Sequence, residues 1–395
     1  MSSAGSCPSC GAGLGEPFLE IRDVPVECNL LSESAEAARA VPRGDIRLAL
    51  CPRCGLITNS SFDPSLAQYD SRYENSLWSS PTFAAYAKAL IDRLIERYDI
   101  RGKRVLGVGS GRGEFLNALC EAGDNEALGF DPSYNLEEGL PGSHVHMVPD
   151  YFRALYADID ADLVVCRHVL EHVSDPAGLA RLIRHTLSDG GVAHVEVPNG
   201  AYMLRTDSVW DVIYEHPHYF VEGALTGLFR GTGFRIEHVY TGYGDQYLGL
   251  EAAPDPQPPA RHELAPDEVE GLEVAAERFG SAYRTTITTW ANHLATWKRA
   301  GARVAVWGMG SKGVMFLNAV PGAASIEALV DINPRKQGRY VAGTGQRIAA
   351  PHELAERDAD VVIVMNPLYR QEIAGSLDAL GVHADVIPAA RSTAA

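Results

Sequence analysis

The chain has 395 residues, of which 46% are hydrophobic, and a formal net charge of −17. Its length predicts two or three domains with their own cores, and its negative charge argues against nucleic acid or an anionic membrane surface as the main partner. Because there is no uninterrupted apolar run of about 18 residues and no signal-peptide pattern, we expect a cytoplasmic protein.

Four segments of different character follow one another. Residues 1–80 contain short pieces with Gly and Pro turns and paired cysteines, and residues 81–252 alternate helix and strand patterns. Residues 253–300 start as a Pro-rich linker and continue as a connecting helix, and residues 301–395 alternate strand and helix again. Both alternating segments open with an apolar strand, a Gly-rich turn and a helix, which is typical of a doubly wound sheet. We therefore predict an α/β protein with a small N-terminal module and two Rossmann-like domains.

The N-terminal segment carries two C-x-x-C pairs, Cys7 with Cys10 and Cys51 with Cys54. Two intervening residues allow both sulfurs of a pair to reach one tetrahedral zinc ion at ~2.3 Å. Two pairs supply four ligands and leave no open position, so we predict a structural zinc site. The alternative is two unrelated reduced dithiols or redox motifs.

The first Gly-rich loop has the pattern G-x-G-x-G and includes Gly109, Ser110, Gly111 and Gly113. Glycines at these positions permit a positive φ and a close approach of the backbone to a ligand. Asp131 ends the next strand about twenty residues later, where an acid can accept hydrogen bonds from both ribose hydroxyls. These five residues predict a nucleotide-type cofactor site, although the loop alone also fits a tight turn.

A further apolar strand over 162–166 ends in polar residues, among them Arg167 and His168. Open α/β sheets bind ligands at the carboxyl ends of their strands. We therefore add Arg167 and His168 to the candidate cofactor-binding residues, together with Asp150.

Residues 210–220 combine histidines, aromatic residues and acids, including Tyr214, Glu215, His216 and His218. Histidine takes up a proton near neutral pH, and an adjacent acid can orient it. This clustering predicts a catalytic segment. The alternative is that the aromatic residues form core and the histidines line a turn at Pro217.

A second Gly-rich loop starts at Gly308 with the pattern G-x-G-x-x-G and contains Gly310 and Lys312. Asp331 closes the following strand. Alone, this pattern predicts a dinucleotide site at a helix N-terminus, and Lys312 suits an anionic ligand. The alternative is a turn with a structural role only.

The central motifs, including H-V-L-E-H-V at 168–173 and E-V-P-N at 196–199, resemble class I S-adenosylmethionine-dependent methyltransferases. The whole layout resembles the sugar C-methyltransferases that act on nucleotide-linked deoxysugars in antibiotic pathways. That family has a zinc-binding module, a central methyltransferase domain and a C-terminal Rossmann-like domain. The resemblance implies a structural zinc ion, S-adenosylmethionine as cofactor and a nucleotide-linked sugar as the small-molecule partner.

The resemblance also implies roles for individual residues. His216 would remove a proton from a carbon beside a keto group, and Glu215 would support it. Tyr214 and His172 would hold the sugar or its enolate, whose carbon attacks the sulfonium methyl. Further substrate-binding candidates are Tyr73, His218, Gly310 and Lys312.

Three positions depart from the family patterns. Gly107 stands where such enzymes usually carry an acid, and residues 243–248 and 366–368 differ from the usual segments. Methylation of oxygen or nitrogen on another small natural product is therefore an alternative. A nicotinamide-dependent oxidoreductase and a non-catalytic binding protein are two further alternatives.

Overall fold

The structure is a computed structural model that describes residues 5–137, 139, 144–156, 158–256, 263–326 and 328–390. The strands within these residues are β1 Pro17–Pro25, β2 Arg43–Leu50, β3 Ile57–Asn59, β4 Arg104–Val108, β5 Glu126–Phe130, β6 Val145–Val148, β7 Ala161–Arg167, β8 Leu187–Pro198, β9 His218–Tyr219, β10 Phe234–Gly242, β11 Tyr247–Pro254, β12 Val304–Trp307, β13 Ala328–Val330, β14 Ile348–Ala349, β15 Val361–Val364 and β16 Asp385–Pro388. The helices are α1 Ala35–Arg39, α2 Pro81–Tyr98, α3 Glu114–Gly123, α4 Pro176–Thr186, α5 Gly200–Thr206, α6 Glu222–Gly231, α7 Pro266–Ala300, α8 Ser311–Ala319 and α9 Arg370–Ala379.

The N-terminal sheet is antiparallel, with the strand order β1-β2-β3-β9. Its last strand comes from the segment that follows β8, and it pairs Tyr219 with Ile57 and His218 with Thr58. The predicted catalytic segment is therefore tied to the N-terminal module by backbone hydrogen bonds. The sequence pattern did not predict this shared sheet.

The central sheet has the order β10-β11-β8-β7-β4-β5-β6. The five strands from β6 to β8 are parallel, and β11 and β10 add an antiparallel edge. Along β7, Leu163 and Val165 face the cluster of α2 and α3, whereas Val164 and Cys166 face the cluster of α4 and α6. This alternation follows from the two-residue period of a strand covered by helices on both faces. The predicted α/β class is confirmed.

The C-terminal sheet is wholly parallel, with the order β14-β13-β12-β15-β16. Helix α7 leads into it and packs against the N-terminal module on the way. A Cβ atom at Gly280 of α7 would lie 2.2 Å from the carbonyl oxygen of Phe18, which shows how closely α7 crosses β1. Trp290 of α7 lies edge-on to Phe316 of α8, with ring centroids 5.3 Å apart. The predicted connecting helix thus joins two modules through one apolar cluster.

Both Rossmann-like sheets reverse their strand order beside their first strand, between β4 and β7 and between β12 and β15. Ligands bind to such sheets at the carboxyl ends of the strands flanking the reversal. Part of the Pro-rich linker, residues 257–262, lies outside the described residues. No helix in the described ranges has the length and apolar content needed to cross a membrane.

Candidate active site

One cavity of about 860 Å³ lies where the N-terminal module, the central sheet and the C-terminal sheet meet. This volume is typical of a small-molecule site. The central cavity, as we call it, brings together eleven of the residues predicted from the sequence. They are Tyr73, Gly109, Ser110, Gly111, Asp131, Arg167, His168, His172, His216, Gly310 and Lys312.

The first Gly-rich loop forms an open cradle at the end of β4. Gly109 and Gly111 have φ angles of 61° and 55°. A Cβ atom at Gly109 would lie 2.2 Å from Val169, so only glycine fits there, whereas nothing lies within 4 Å of a Cβ at Gly111. The backbone at Gly111 therefore faces free space, into which a ligand can approach closely.

Asp131 is held in place beside this cradle. Its Oδ2 accepts a hydrogen bond from the Gly111 amide at 2.7 Å, and its Oδ1 accepts bonds from the Ser133 amide and hydroxyl at 2.8 and 2.6 Å. The side chain is 9% exposed. Because a carboxylate offers about four acceptor positions, Asp131 retains capacity for a ribose hydroxyl.

Gly107 has a steric explanation. A Cβ atom there would lie 2.2 Å from Ser110 Oγ and 2.5 Å from Leu116. An acid at this position would require both neighbours to move, so its absence accords with the local packing.

Arg167 and His168 follow β7 and meet Glu196 of β8. Arg167 Nη2 lies 2.6 Å from Glu196 Oε1, and its guanidinium stacks over Phe115 at 4.4 Å. His168 Nε2 lies 3.2 Å from the same carboxylate oxygen. Burial opposes a charge on His168, but the nearby carboxylates of Glu171 and Glu196 outweigh it and raise the pKa of His168. Positive charge is thus held in the cavity wall.

The catalytic candidates His172 and His216 pack edge to face in the cavity wall, with ring centroids 4.6 Å apart. His172 Nδ1 shares a hydrogen bond of 2.7 Å with the hydroxyl of Tyr69. His216 Nδ1 is buried without a hydrogen-bond partner among the described residues. Burial, and then the neighbouring His172 and His168, lower the pKa of His216 well below its ordinary value. A neutral imidazole with a free lone pair can accept a proton.

Glu215 is fully buried and supports Tyr73 rather than lining the cavity. Its Oε2 accepts the hydroxyl of Tyr73 at 2.5 Å, and its Oε1 accepts the amide of Cys28. Burial raises the pKa of the nearby Glu27 to about 7, and the charge of Glu215 contributes to this shift. The adjacent acid thus orients a tyrosine that faces the cavity.

Several predicted site residues lie elsewhere. Tyr214 points into the N-terminal module, where its hydroxyl accepts the Asp63 amide at 2.9 Å. His218 lies in β9 and shares a hydrogen bond of 2.7 Å with Thr58. Asp150 binds Arg153 at 2.6 Å within its own turn. None of these three lines the central cavity, and Gly113 caps the start of α3 instead.

The second Gly-rich loop lines the same cavity, with Gly310 capping the start of α8. Lys312 is ion-paired with Asp211 of the central segment. This ion pair joins the two domains and engages the charge that was expected to suit an anionic ligand.

Two charged side chains form hydrogen bonds with the backbone of this loop. Asp331 accepts the Met309 amide at 2.7 Å, as Asp131 accepts an amide of the first loop. The buried Lys336 donates to the Met309 carbonyl at 3.1 Å and to Asn29 at 3.2 Å. The N-terminal module therefore helps to shape the second loop.

The four paired cysteines form one buried cluster in which the sulfur atoms lie within 4.8 Å of one another. Cys7 Sγ lies 3.6 Å from Cys54 Sγ, and Cys10 Sγ lies 3.4 Å from Cys51 Sγ. The two knuckles have the same backbone turn, because the Gly11 amide donates to the carbonyl oxygen of Cys7 and the Gly55 amide donates to the carbonyl oxygen of Cys51. Hydrogen bonds from Cys54 and Cys7 lower the pKa of Cys51.

Sequence reasoning missed residues that act through their contacts. Tyr69 binds His172, and Glu196 holds Arg167 and His168. Glu196 lies in the E-V-P-N motif already singled out, and Tyr69 lies four residues before the candidate Tyr73. Their individual importance depends on pairs that only the fold brings together.

Comparison with known proteins agrees with this geometry. Residues 82–239 match the family model described as a methyltransferase domain, and residues 265–383 match the one described as the C-methyltransferase C-terminal domain. The C-methyltransferase NovU of Streptomyces niveus is 26% identical over 388 residues, covering 93% of this chain and 90% of that protein. The chain is an S-adenosylmethionine-dependent methyltransferase. The oxidoreductase and non-catalytic alternatives are therefore set aside.

Other similarities of this methyltransferase cover less than half of the chain. The ubiquinone biosynthesis O-methyltransferase of Xylella fastidiosa is 27% identical over 168 residues, covering 38% of this chain and 68% of that protein. The structure of 1,6-didemethyltoxoflavin-N1-methyltransferase from Burkholderia thailandensis, with 1,6-didemethyltoxoflavin and S-adenosylhomocysteine bound, covers 44% of this chain and 81% of its own, with 18% identity and a TM-score of 0.37.

Proposed function

We propose that this methyltransferase transfers a methyl group to a carbon atom beside the keto group of a nucleotide-linked deoxysugar, as part of natural-product biosynthesis. The observation that carries the proposal is the placement of His216, a buried imidazole with an unpartnered nitrogen, in the cavity that also contains the Gly109 loop. Methylation of oxygen or nitrogen is the alternative. It has less support because the alignment with the O-methyltransferase relative covers 38% of the chain, whereas the alignment with NovU covers 93%.

The residues at the end of β4 and β5 fit the cofactor. Free space above Gly111 admits the methionine part, and Asp131 has acceptor capacity for the ribose. When bound there, S-adenosylmethionine supplies an electrophilic methyl group to the acceptor carbon. Arg167 and His168 would complete the wall of this site.

The acceptor would be activated by the histidine pair. A keto group acidifies the neighbouring C–H, and His216 accepts that proton. The resulting enolate oxygen carries negative charge, and His172 and His168, which line the same cavity, would stabilise it. Tyr73 also lines the cavity, and its hydroxyl donates to Glu215.

The nucleotide part of the acceptor would lie against the second Gly-rich loop. Helix α8 begins at Gly310 beside the cavity, and a helix N-terminus favours the negative charge of a pyrophosphate. Because Lys312 is paired with Asp211, this contact would come from backbone amides of the loop.

The cysteine cluster would hold one structural zinc ion. Four sulfurs bound at ~2.3 Å to one tetrahedral ion lie ~3.8 Å apart, and the observed spacings of 3.4 and 3.6 Å need only a small adjustment. A fully occupied ligand set leaves the ion no role in methyl transfer.

The test is turnover of keto-deoxysugar nucleotides with S-adenosylmethionine in heavy water. We expect a new C–C bond, and with S-adenosylhomocysteine in place of the methyl donor we expect deuterium to enter beside the ketone. His216→Gln should abolish both. A product methylated on oxygen or nitrogen, or deuterium exchange undiminished in His216→Gln, would overturn the proposal.

A further inference from the structure

A second cluster of metal-binding side chains lies in the wall of the central cavity, apart from the cysteine cluster. Glu171, His172 and His216 each offer one ligand atom, and these atoms lie within 4.8 Å of one another. All three residues line the cavity. We propose that this cluster binds one divalent transition-metal ion of the zinc and cobalt type.

Glu171 provides the strongest argument. The residue is 1% exposed, and both of its carboxylate oxygens are buried without a hydrogen-bond partner among the described residues. Leaving a buried carboxylate without partners is costly. His168 Nδ1 lies 3.7 Å from Glu171 Oε1, which is beyond hydrogen-bonding distance. A metal ion beside the histidines would satisfy the carboxylate.

Each of the two histidines has a ring nitrogen that can serve as a ligand. His216 Nδ1 has no hydrogen-bond partner in the part of the chain that the structure describes. His172 Nδ1 is bound to the hydroxyl of Tyr69, which leaves Nε2 available. A hydrogen bond on one ring nitrogen orients the other toward a metal ion, as in many protein metal sites.

The geometry requires a small closure. Ligand atoms around one ion at ~2.0–2.2 Å lie ~3–4 Å from one another. Side-chain rotations that move each ligand atom by less than about 1 Å would reach these separations from the present arrangement. Two imidazoles and one carboxylate favour zinc, cobalt or nickel over magnesium, which prefers oxygen ligands. Three protein ligands also leave open positions toward the cavity.

Metal binding has a consequence that rests on the proposed function. A lone pair of His216 that binds a metal ion cannot accept a proton, so the loaded enzyme would not activate its acceptor. Metal binding itself requires no acceptor, so it can be measured even if the proposed substrate is wrong.

The experiment starts from protein that carries one equivalent of zinc, held in the cysteine cluster, and titrates it with Co²⁺, followed by visible absorption. We expect one equivalent of cobalt to bind, with d–d bands but without the intense thiolate charge-transfer band of a cysteine site. Glu171→Gln should weaken cobalt binding at least about tenfold while retaining the zinc of the cysteine cluster.

His218→Gln is the matched control, because His218 Nε2 is also unpartnered but His218 lies outside the cavity lining. This variant should bind cobalt like the wild type. If Glu171→Gln fails to fold, as judged by its zinc content, His172→Gln replaces it. No cobalt binding by the wild type, or binding unchanged by the Glu171 or His172 variant, would overturn the proposal.

Discussion

Tyr214 and His216 are two residues apart, yet their side chains face different parts of the molecule. The Tyr214 ring packs against Phe62 with centroids 5.3 Å apart, whereas His216 packs against His172 in the cavity wall. The sequence could predict that this segment is functional from its residue types. It could not predict which side chain faces the cavity, because a turn lacks the regular periodicity that fixes the direction of side chains in a helix or a strand.

This difference leads to a paired prediction. His216→Ala should lower kcat about 10²- to 10⁴-fold, as expected for loss of a general base. Tyr214→Phe should leave kcat within about threefold, because the lost hydroxyl bonds only to the backbone of Asp63 among the described residues. Steady-state kinetics with an acceptor that the wild type methylates gives kcat for both variants and tests this prediction. A strong effect of Tyr214→Phe on kcat, without loss of stability, would contradict this assignment.

At the scale of elements, the most informative feature is β9. Two backbone pairs join it to β3, and the knuckle of Cys51 and Cys54 lies between β2 and β3. The sequence indicated both the cysteine module and the histidine segment from local patterns. Their pairing spans more than 150 residues, and such register is set by tertiary packing, which local patterns do not encode.

The cysteine module should therefore affect catalysis through β9. Cys10→Ser should lower the zinc content, the melting temperature and the turnover number together, because a structural zinc ion contributes folding free energy. Cys120→Ala is the control, since Cys120 is buried in α3 away from the cluster.

Metal analysis, thermal unfolding and kinetics on the same preparations test this prediction. The control should retain its zinc. Full zinc content in Cys10→Ser would contradict the assignment of the ligands, and normal turnover without zinc would contradict the coupling through β9.

At the scale of the whole molecule, the two Rossmann-like domains share one cavity. Each domain could be predicted from its strand, Gly-rich loop and helix, because those signals are local. Their contact could not, because it depends on pairs such as Lys312 with Asp211 and Gln246 with Asn366, which are far apart in the sequence. The last pair connects two of the segments that depart from the family pattern.

Gln246 and Asn366 form a double hydrogen bond across the domain boundary, with both distances 2.9 Å. We expect Gln246→Ala and Asn366→Ala each to raise the KM for the acceptor several-fold, while S-adenosylhomocysteine affinity stays within about twofold. In a double-mutant cycle the pair should show a coupling of about 1 kcal/mol. Additive effects, or an equal loss of cofactor affinity, would show that this contact does not shape the acceptor side of the cavity.

The most direct test of the cofactor site is calorimetric titration with S-adenosylhomocysteine of the wild type, Asp131→Ala and Asp150→Ala. Both acids were candidates from the sequence, but only Asp131 lines the cavity. Losing a charged hydrogen-bond acceptor costs about 2–3 kcal/mol, so Asp131→Ala should bind roughly 30- to 150-fold more weakly, and Asp150→Ala should bind like the wild type. Equal binding by Asp131→Ala and the wild type, or a comparable loss in Asp150→Ala, would contradict the placement of the cofactor at the first Gly-rich loop.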